Sequence, residues 1–138
     1  MQAKTILIAD RDMYYRTLIA ASLQMVTGIS DVMKAACLDV TIGVMKRHRP
    51  DVVFLDYDLL QDCSQSHLEV LSSKHFHGTL VLLTEGNGDE HIEKNAGIIP
   101  DIVLPKNKLL QPFNFTADAI LLFLAERLKL AGTARAHT

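Results

Sequence analysis

Of the 138 residues, only two are cysteines, and Cys37 and Cys63 lie far apart with no Cys-x-x-Cys or Cys/His ligand spacing. That removes the sequence case for a structural zinc site or a disulfide framework, and both read as reduced thiols. Basic excess is missing as well. Lys and Arg number 14 against 16 Asp and Glu, a formal charge of -2, so nothing is in place to neutralise a phosphate backbone, and no nucleic acid is expected to bind this domain. No apolar run approaches the roughly 20 residues of a membrane helix, the nearest being Ala119 to Ala125. The opening MQAKTILIAD lacks the long apolar stretch and small-residue cleavage site of a signal peptide. The expectation is a soluble, cytoplasmic protein without membrane association. There is no internal repeat, low-complexity segment or linker. With 49% hydrophobic residues the chain can bury one sizeable core and is too short for two ordinary domains. One domain is expected over residues 1–130, with a polar, disordered tail at 131–138.

What is present is an alternation of short apolar runs with amphipathic stretches. Thr5 to Ala9, Val52 to Leu55, Thr79 to Leu83 and Ile102 to Leu104 are nearly continuous apolar runs, with a weaker one at Asp31 to Ala35. Such runs suit strands buried on both sides. Between Asp12 and Val26 a helix is expected, with Asp12 as N-cap, Gly28 as stop, and Tyr15, Leu18, Ile19, Ser22, Met25 and Val26 forming the inward stripe. Further helices are expected at Asp39 to His48, around Ser66 to Ser73, around Asp89 to Asn95, and from Phe115 to Leu130. Five βα units in this order predict an α/β fold, a doubly wound parallel sheet with helices on both faces.

In such a sheet, ligands gather beyond the carboxyl ends of the strands. The polar residues there are Asp10, Asp56, Thr84 and Lys106. Taken singly, each has an ordinary explanation: a helix cap, a strand former, a solvated charge. Four together are harder to dismiss. Two carboxylates, a hydroxyl and an ammonium make sense as a Mg²⁺-assisted phosphoryl-transfer site, with Asp56 as nucleophile, Asp10 as metal ligand, Lys106 as counter-charge and Thr84 as hydrogen-bond donor to the phosphoryl oxygens.

The segments ILIADRD at 6–12, RPDVVFLDYDLL at 49–60, LVLLT at 80–84 and IVLPK at 102–106 resemble, in order and spacing, the landmarks of bacterial response-regulator receiver domains. The resemblance covers about Lys4 to Leu128. It implies a flavodoxin-like five-stranded sheet of order 2-1-3-4-5. It also implies two-component signalling, in which Asp56 takes a phosphoryl group from a phosphohistidine on a sensor histidine kinase or phosphotransfer protein. Mg²⁺ would then be held by Asp10, Asp56 and the backbone carbonyl of Asp58, and the domain would be a relay module rather than an enzyme in its own right.

Four features depart from that family. Arg11 stands where a second acidic residue is usual, and a guanidinium repels a metal ion. Val103 replaces the aromatic three residues before the Lys, Glu85 replaces the small residue after the Thr, and LQDCSQSH at 60–67 makes a longer loop than the common form. Together they suggest a divergent receiver with weak or altered phosphorylation. They keep open a second reading, a pseudo-receiver that binds a protein partner without phosphorylation. A third reading takes the Asp-x-Asp of LDYDLL as the nucleophile and acid of a haloacid-dehalogenase-type phosphatase; against it, a complete βαβα precedes Asp56 and no acidic pair follows Lys106. On the last helix, Ala117, Ile120, Leu121, Leu124 and Leu128 form a core stripe, and Phe115, Ala119, Leu122 and Phe123 form a second one. That second stripe predicts a contact surface, with a homodimer through the C-terminal helix as the first partner.

Overall fold

The computed structural model describes residues 4–25, 29–61, 63–72, 75–85, 98 and 100–106. Within them the chain runs β1 (Lys4–Ala9), α1 (Met13–Gln24), β2 (Ile29–Ala35), α2 (Leu38–His48), β3 (Val52–Asp56), a 3-10 turn (Tyr57–Leu60), α3 (Gln65–Leu71), β4 (Thr79–Thr84) and β5 (Ile102–Pro105). All five strands pair in parallel in the order β2-β1-β3-β4-β5. This is the doubly wound, flavodoxin-like order. The expected helices around Asp89 to Asn95 and from Phe115 to Leu130, the proposed dimer stripe, Gly28 and the tail fall outside the described residues.

Strand alternation divides the core in two. Ile6, Ile8, Val52, Phe54, Val81 and Leu83 face α1, where Tyr15, Ile19, Ala20 and Leu23 meet them. Leu7, Ala9, Val53, Leu55, Leu80 and Leu82 face Leu38, Ile42 and Met45 of α2 and Leu71 of α3. The central strands are apolar on both sides because both sides are covered. Phe54 and Leu55, neighbours in β3, are each fully buried on opposite faces.

On α1 the expected stripe is corrected in part. Tyr15 and Ile19 are buried as expected, but Leu18 and Met25 are exposed, and Ala20 and Leu23 take the inward places. The helix carries apolar residues on every side, with Met13 and Tyr14 also exposed. Spacing alone therefore left its rotation open, and packing into the cluster with Ile6, Ile8 and Val32 of β1 and β2 chose it. Asp12 caps the helix as expected, accepting from the amides of Tyr14 and Tyr15, a contact of the kind that contributes about 1 kcal/mol. At the opposite edge of the sheet, Asp51 accepts from the Thr5 amide at 2.8 Å and Asp101 from the Leu80 amide at 2.8 Å. These two carboxylates tie strands together and take no part in the strand-end cluster below. Among the described residues, no helix is long and apolar enough to cross a membrane.

Candidate functional site

Register sets the site. Ala9 pairs with both Ala35 and Leu55, so Asp10 and Asp56 leave the sheet side by side. Asp56 in turn pairs with Leu83, and Thr84 with Pro105, which brings Thr84, Glu85 and Lys106 to the same edge. Both carboxylates are withdrawn from solvent, Asp10 completely and Asp56 to 3% exposure. Burial of a charge at this depth is costly unless it is paired.

Lys106 supplies the pairing. Its Nζ lies 2.8 Å from Asp10 Oδ2, 3.4 Å from Asp56 Oδ2 and 3.7 Å from Glu85 Oε2. The ammonium also sits 4.9 Å from the ring centroid of Tyr15, whose hydroxyl donates to the Lys106 carbonyl at 3.2 Å. The tyrosine thus fixes both ends of the residue, the backbone by a hydrogen bond and the head by the face of its ring. Each carboxylate keeps one oxygen for the backbone: Asp10 Oδ1 accepts from the Asp12 amide at 2.9 Å, and Asp56 Oδ1 from the Asp58 amide at 3.2 Å. Arg16 donates to the Asp10 carbonyl at 2.8 Å.

The charges do not cancel evenly. Burial, then the neighbouring Asp10 charge, push the Asp56 carboxyl up to about 6, against the pull of Lys106 and of the Asp58 amide. Burial would lower Lys106, but its contact with Asp10 and the charges of Asp56, Asp10 and Glu85 outweigh that and hold it above the usual lysine range. Burial, with Asp10, Asp56 and Glu85 behind it, keeps the Tyr15 phenol protonated well above its ordinary range. Asp56 is therefore a buried carboxylate poised to ionise just below neutrality, next to a fixed cation.

Of the residues expected from sequence, Asp10, Asp56 and Lys106 converge in direct contact. Thr84 is buried at the same edge, and its hydroxyl has no hydrogen-bond partner among the described residues. It belongs to the strand row of Leu80 and Leu82, which faces α2 and α3. Glu85, expected beside the site, is on the ammonium as a third carboxylate. Val103 is partly exposed on the edge strand. Sequence reasoning missed Tyr15, assigned to the core stripe, although its place on the first turn after Asp12 was signal enough that it borders the strand ends.

The Asp10 and Asp56 carboxylates and the Asp58 carbonyl are hard oxygen donors at one edge, a set of the kind Mg²⁺ takes with water completing its shell. They fit such an ion in chemistry. Among the described residues, no group of three or more His, Cys, Asp or Glu side chains is arranged for a metal, so the carbonyl would have to serve as third ligand. That carbonyl already accepts from the Gln61 amide at 3.3 Å and from Arg11 Nη2 at 3.4 Å.

No protein-family model matches the chain, and no curated protein matches it in sequence. Solved structures do match in fold. The receiver domain of Francisella response regulator 1452 is 20% identical over 91% of this chain and 97% of that one, with a TM-score of 0.65. The signal receiver domain of an HD-domain-containing protein from Pseudomonas fluorescens is 19% identical over 93% and 96%, at 0.68. A response-regulator-receiver-modulated diguanylate cyclase from Pelobacter carbinolicus is 22% identical over 91% and 92%, at 0.58. The chain has the fold of a response-regulator receiver domain.

Proposed function

We propose that this chain works as a receiver in two-component signalling, accepting a phosphoryl group on Asp56 from a phosphohistidine on a sensor histidine kinase or phosphotransfer protein. The observation that carries this reading is the buried pair of Asp10 and Asp56 bridged by Lys106 at the carboxyl edge of a receiver-type sheet. In the transfer, an Asp56 carboxylate oxygen forms a bond to phosphorus as the bond to the donor breaks, and that electron pair leaves with the donor group. Lys106, steadied by Tyr15, neutralises the phosphoryl oxygens, and the Thr84 hydroxyl, which has no hydrogen-bond partner among the described residues, donates to one of them. Mg²⁺ would be held by Asp10, Asp56 and, once Arg11 has left it, the Asp58 carbonyl, and would add charge neutralisation.

Only the ionised carboxylate is a nucleophile. With Asp56 pushed up to about 6, labelling by acetyl phosphate should rise with pH through that value and level off above it. The parent should gain one phosphoryl mass and Asp56→Asn none. A labelled Asp56→Asn protein would place the acceptor elsewhere.

A second reading, the pseudo-receiver that binds a protein without phosphorylation, is favoured by one observation: Lys106 and Arg11 already occupy the oxygens a metal would use. A parent that stays unlabelled at every Mg²⁺ concentration would select it.

A further inference from the structure

Arg11 is fixed on both sides. The amide of Asp12 is held by Asp10 Oδ1, and the Asp12 side chain caps α1. From that anchored position the guanidinium reaches from the β1 end to the β3 end of the site and donates to the Asp58 carbonyl, two residues beyond Asp56. That carbonyl also takes the Gln61 amide, so two donors are already on an oxygen a divalent cation would need. The guanidinium contact, at 3.4 Å and exposed to solvent, is weak enough to exchange. At the same strand ends Asp10, Asp56 and Glu85 gather on the Lys106 ammonium, which is in contact with both buried carboxylates.

We propose that Arg11 is a second cation of this site beside Lys106: it excludes a divalent ion from the Asp58 carbonyl and, when a phosphoryl group arrives on Asp56, moves onto the phosphoryl oxygens in the metal's place. A guanidinium suits both tasks. It cannot lose its charge at physiological pH, and its planar fork offers paired N–H donors that match two phosphate oxygens. Leaving the carbonyl costs little, because the Gln61 amide stays on it. The proposal rests on Asp56 being the acceptor. Its chemistry is balanced without a metal: the Asp56 oxygen bonds to phosphorus, acetyl phosphate loses acetate with the electron pair of the broken bond, and the charge gathered on the phosphoryl oxygens is met by Lys106 and Arg11.

The test combines labelling, read by intact mass, with Mg²⁺ binding, read by calorimetry. Acetyl phosphate is the donor, in EDTA or in saturating Mg²⁺, for the parent, Arg11→Gln and Arg11→Asp. The parent is expected to label in EDTA within about threefold of its rate in Mg²⁺, and Arg11→Gln to lose at least about tenfold of the EDTA rate. Arg11→Asp should bind Mg²⁺ at least about tenfold more tightly than the parent, since an anion replaces a cation beside the ion, and should label only when Mg²⁺ is present. The proposal is overturned if the parent needs Mg²⁺ as strictly as Arg11→Asp does, if Arg11→Gln labels in EDTA like the parent, or if Mg²⁺ affinity is unchanged by Arg11→Asp. Should neither the parent nor Arg11→Asp label with Mg²⁺ present, it is the acceptor role of Asp56 that fails, and the metal-free transfer falls with it.

Discussion

In metal-free buffer, Asp56→Asn should be more stable than the parent by about 2 to 3 kcal/mol at pH 8 and by no more than about 0.5 kcal/mol at pH 4. The carboxyl titrates at about 6 in the folded chain against an ordinary 3.8. Below 3.8 it is protonated in both the folded and unfolded states and costs nothing. Between 3.8 and about 6 the folded state holds a proton that the unfolded state has released, so stability falls as pH rises. Above 6 the whole cost of the buried charge is present. Asparagine is neutral throughout and can still accept from the Asp58 amide, while Lys106 keeps Asp10 at 2.8 Å and Glu85 at 3.7 Å. Urea denaturation at the two pH values measures the difference. A stability loss at pH 8 would mean that the ion pair with Lys106 outweighs the burial of Asp56.

The larger effect belongs to Lys106. Its ammonium is the shared partner of two carboxylates that are almost wholly buried. Lys106→Met keeps most of the stem but leaves Asp10 and Asp56 without the ammonium that bridges them. Breaking a buried pair in this way costs about 3 to 5 kcal/mol at pH 8. Part of that loss should return at pH 5, because without the ammonium the Asp56 carboxyl titrates above 6 and the pair can share a proton. Adding Asp56→Asn to Lys106→Met should recover stability at pH 8 for the same reason. If the single variant loses equally at pH 5 and pH 8, and the double variant recovers nothing, the role of Lys106 is packing on Tyr15 rather than charge.

These two residues show how far the sequence carries. Parallel strands buried on both faces have to be continuous apolar runs, so β1, β3, β4 and β5 were legible to within a residue or two, and with them the strand ends that bear Asp10, Asp56 and Lys106. Polar residues that interrupt such runs stand out. The weaker β2 is half-exposed at Ser30, Asp31 and Lys34, which blurred its start. Helix α1 was legible as a helix, because Asp12 and the 3.6-residue period are local signals. Its rotation was not, since Leu18 and Met25 are as apolar as Leu23 and only packing into the cluster with Ile6, Ile8 and Val32 separates them. The fate of the Arg11 guanidinium was also hidden. Its charge argued against a metal from sequence alone, but its contact with the Asp58 carbonyl depends on the 3-10 turn that follows β3, and no local pattern encodes a reach of 47 residues.

The central claim is that Asp56 carries the phosphoryl group. An aspartyl phosphate is a mixed anhydride, and borohydride reduces it to homoserine, leaving a permanent mark at the acceptor. The account predicts that protein treated with acetyl phosphate and then borohydride yields, on peptide sequencing by mass spectrometry, homoserine at position 56 and an unaltered residue at position 10 and at position 58. Homoserine at one of those two positions, or at none of the three in protein that has gained a phosphoryl mass, would contradict it.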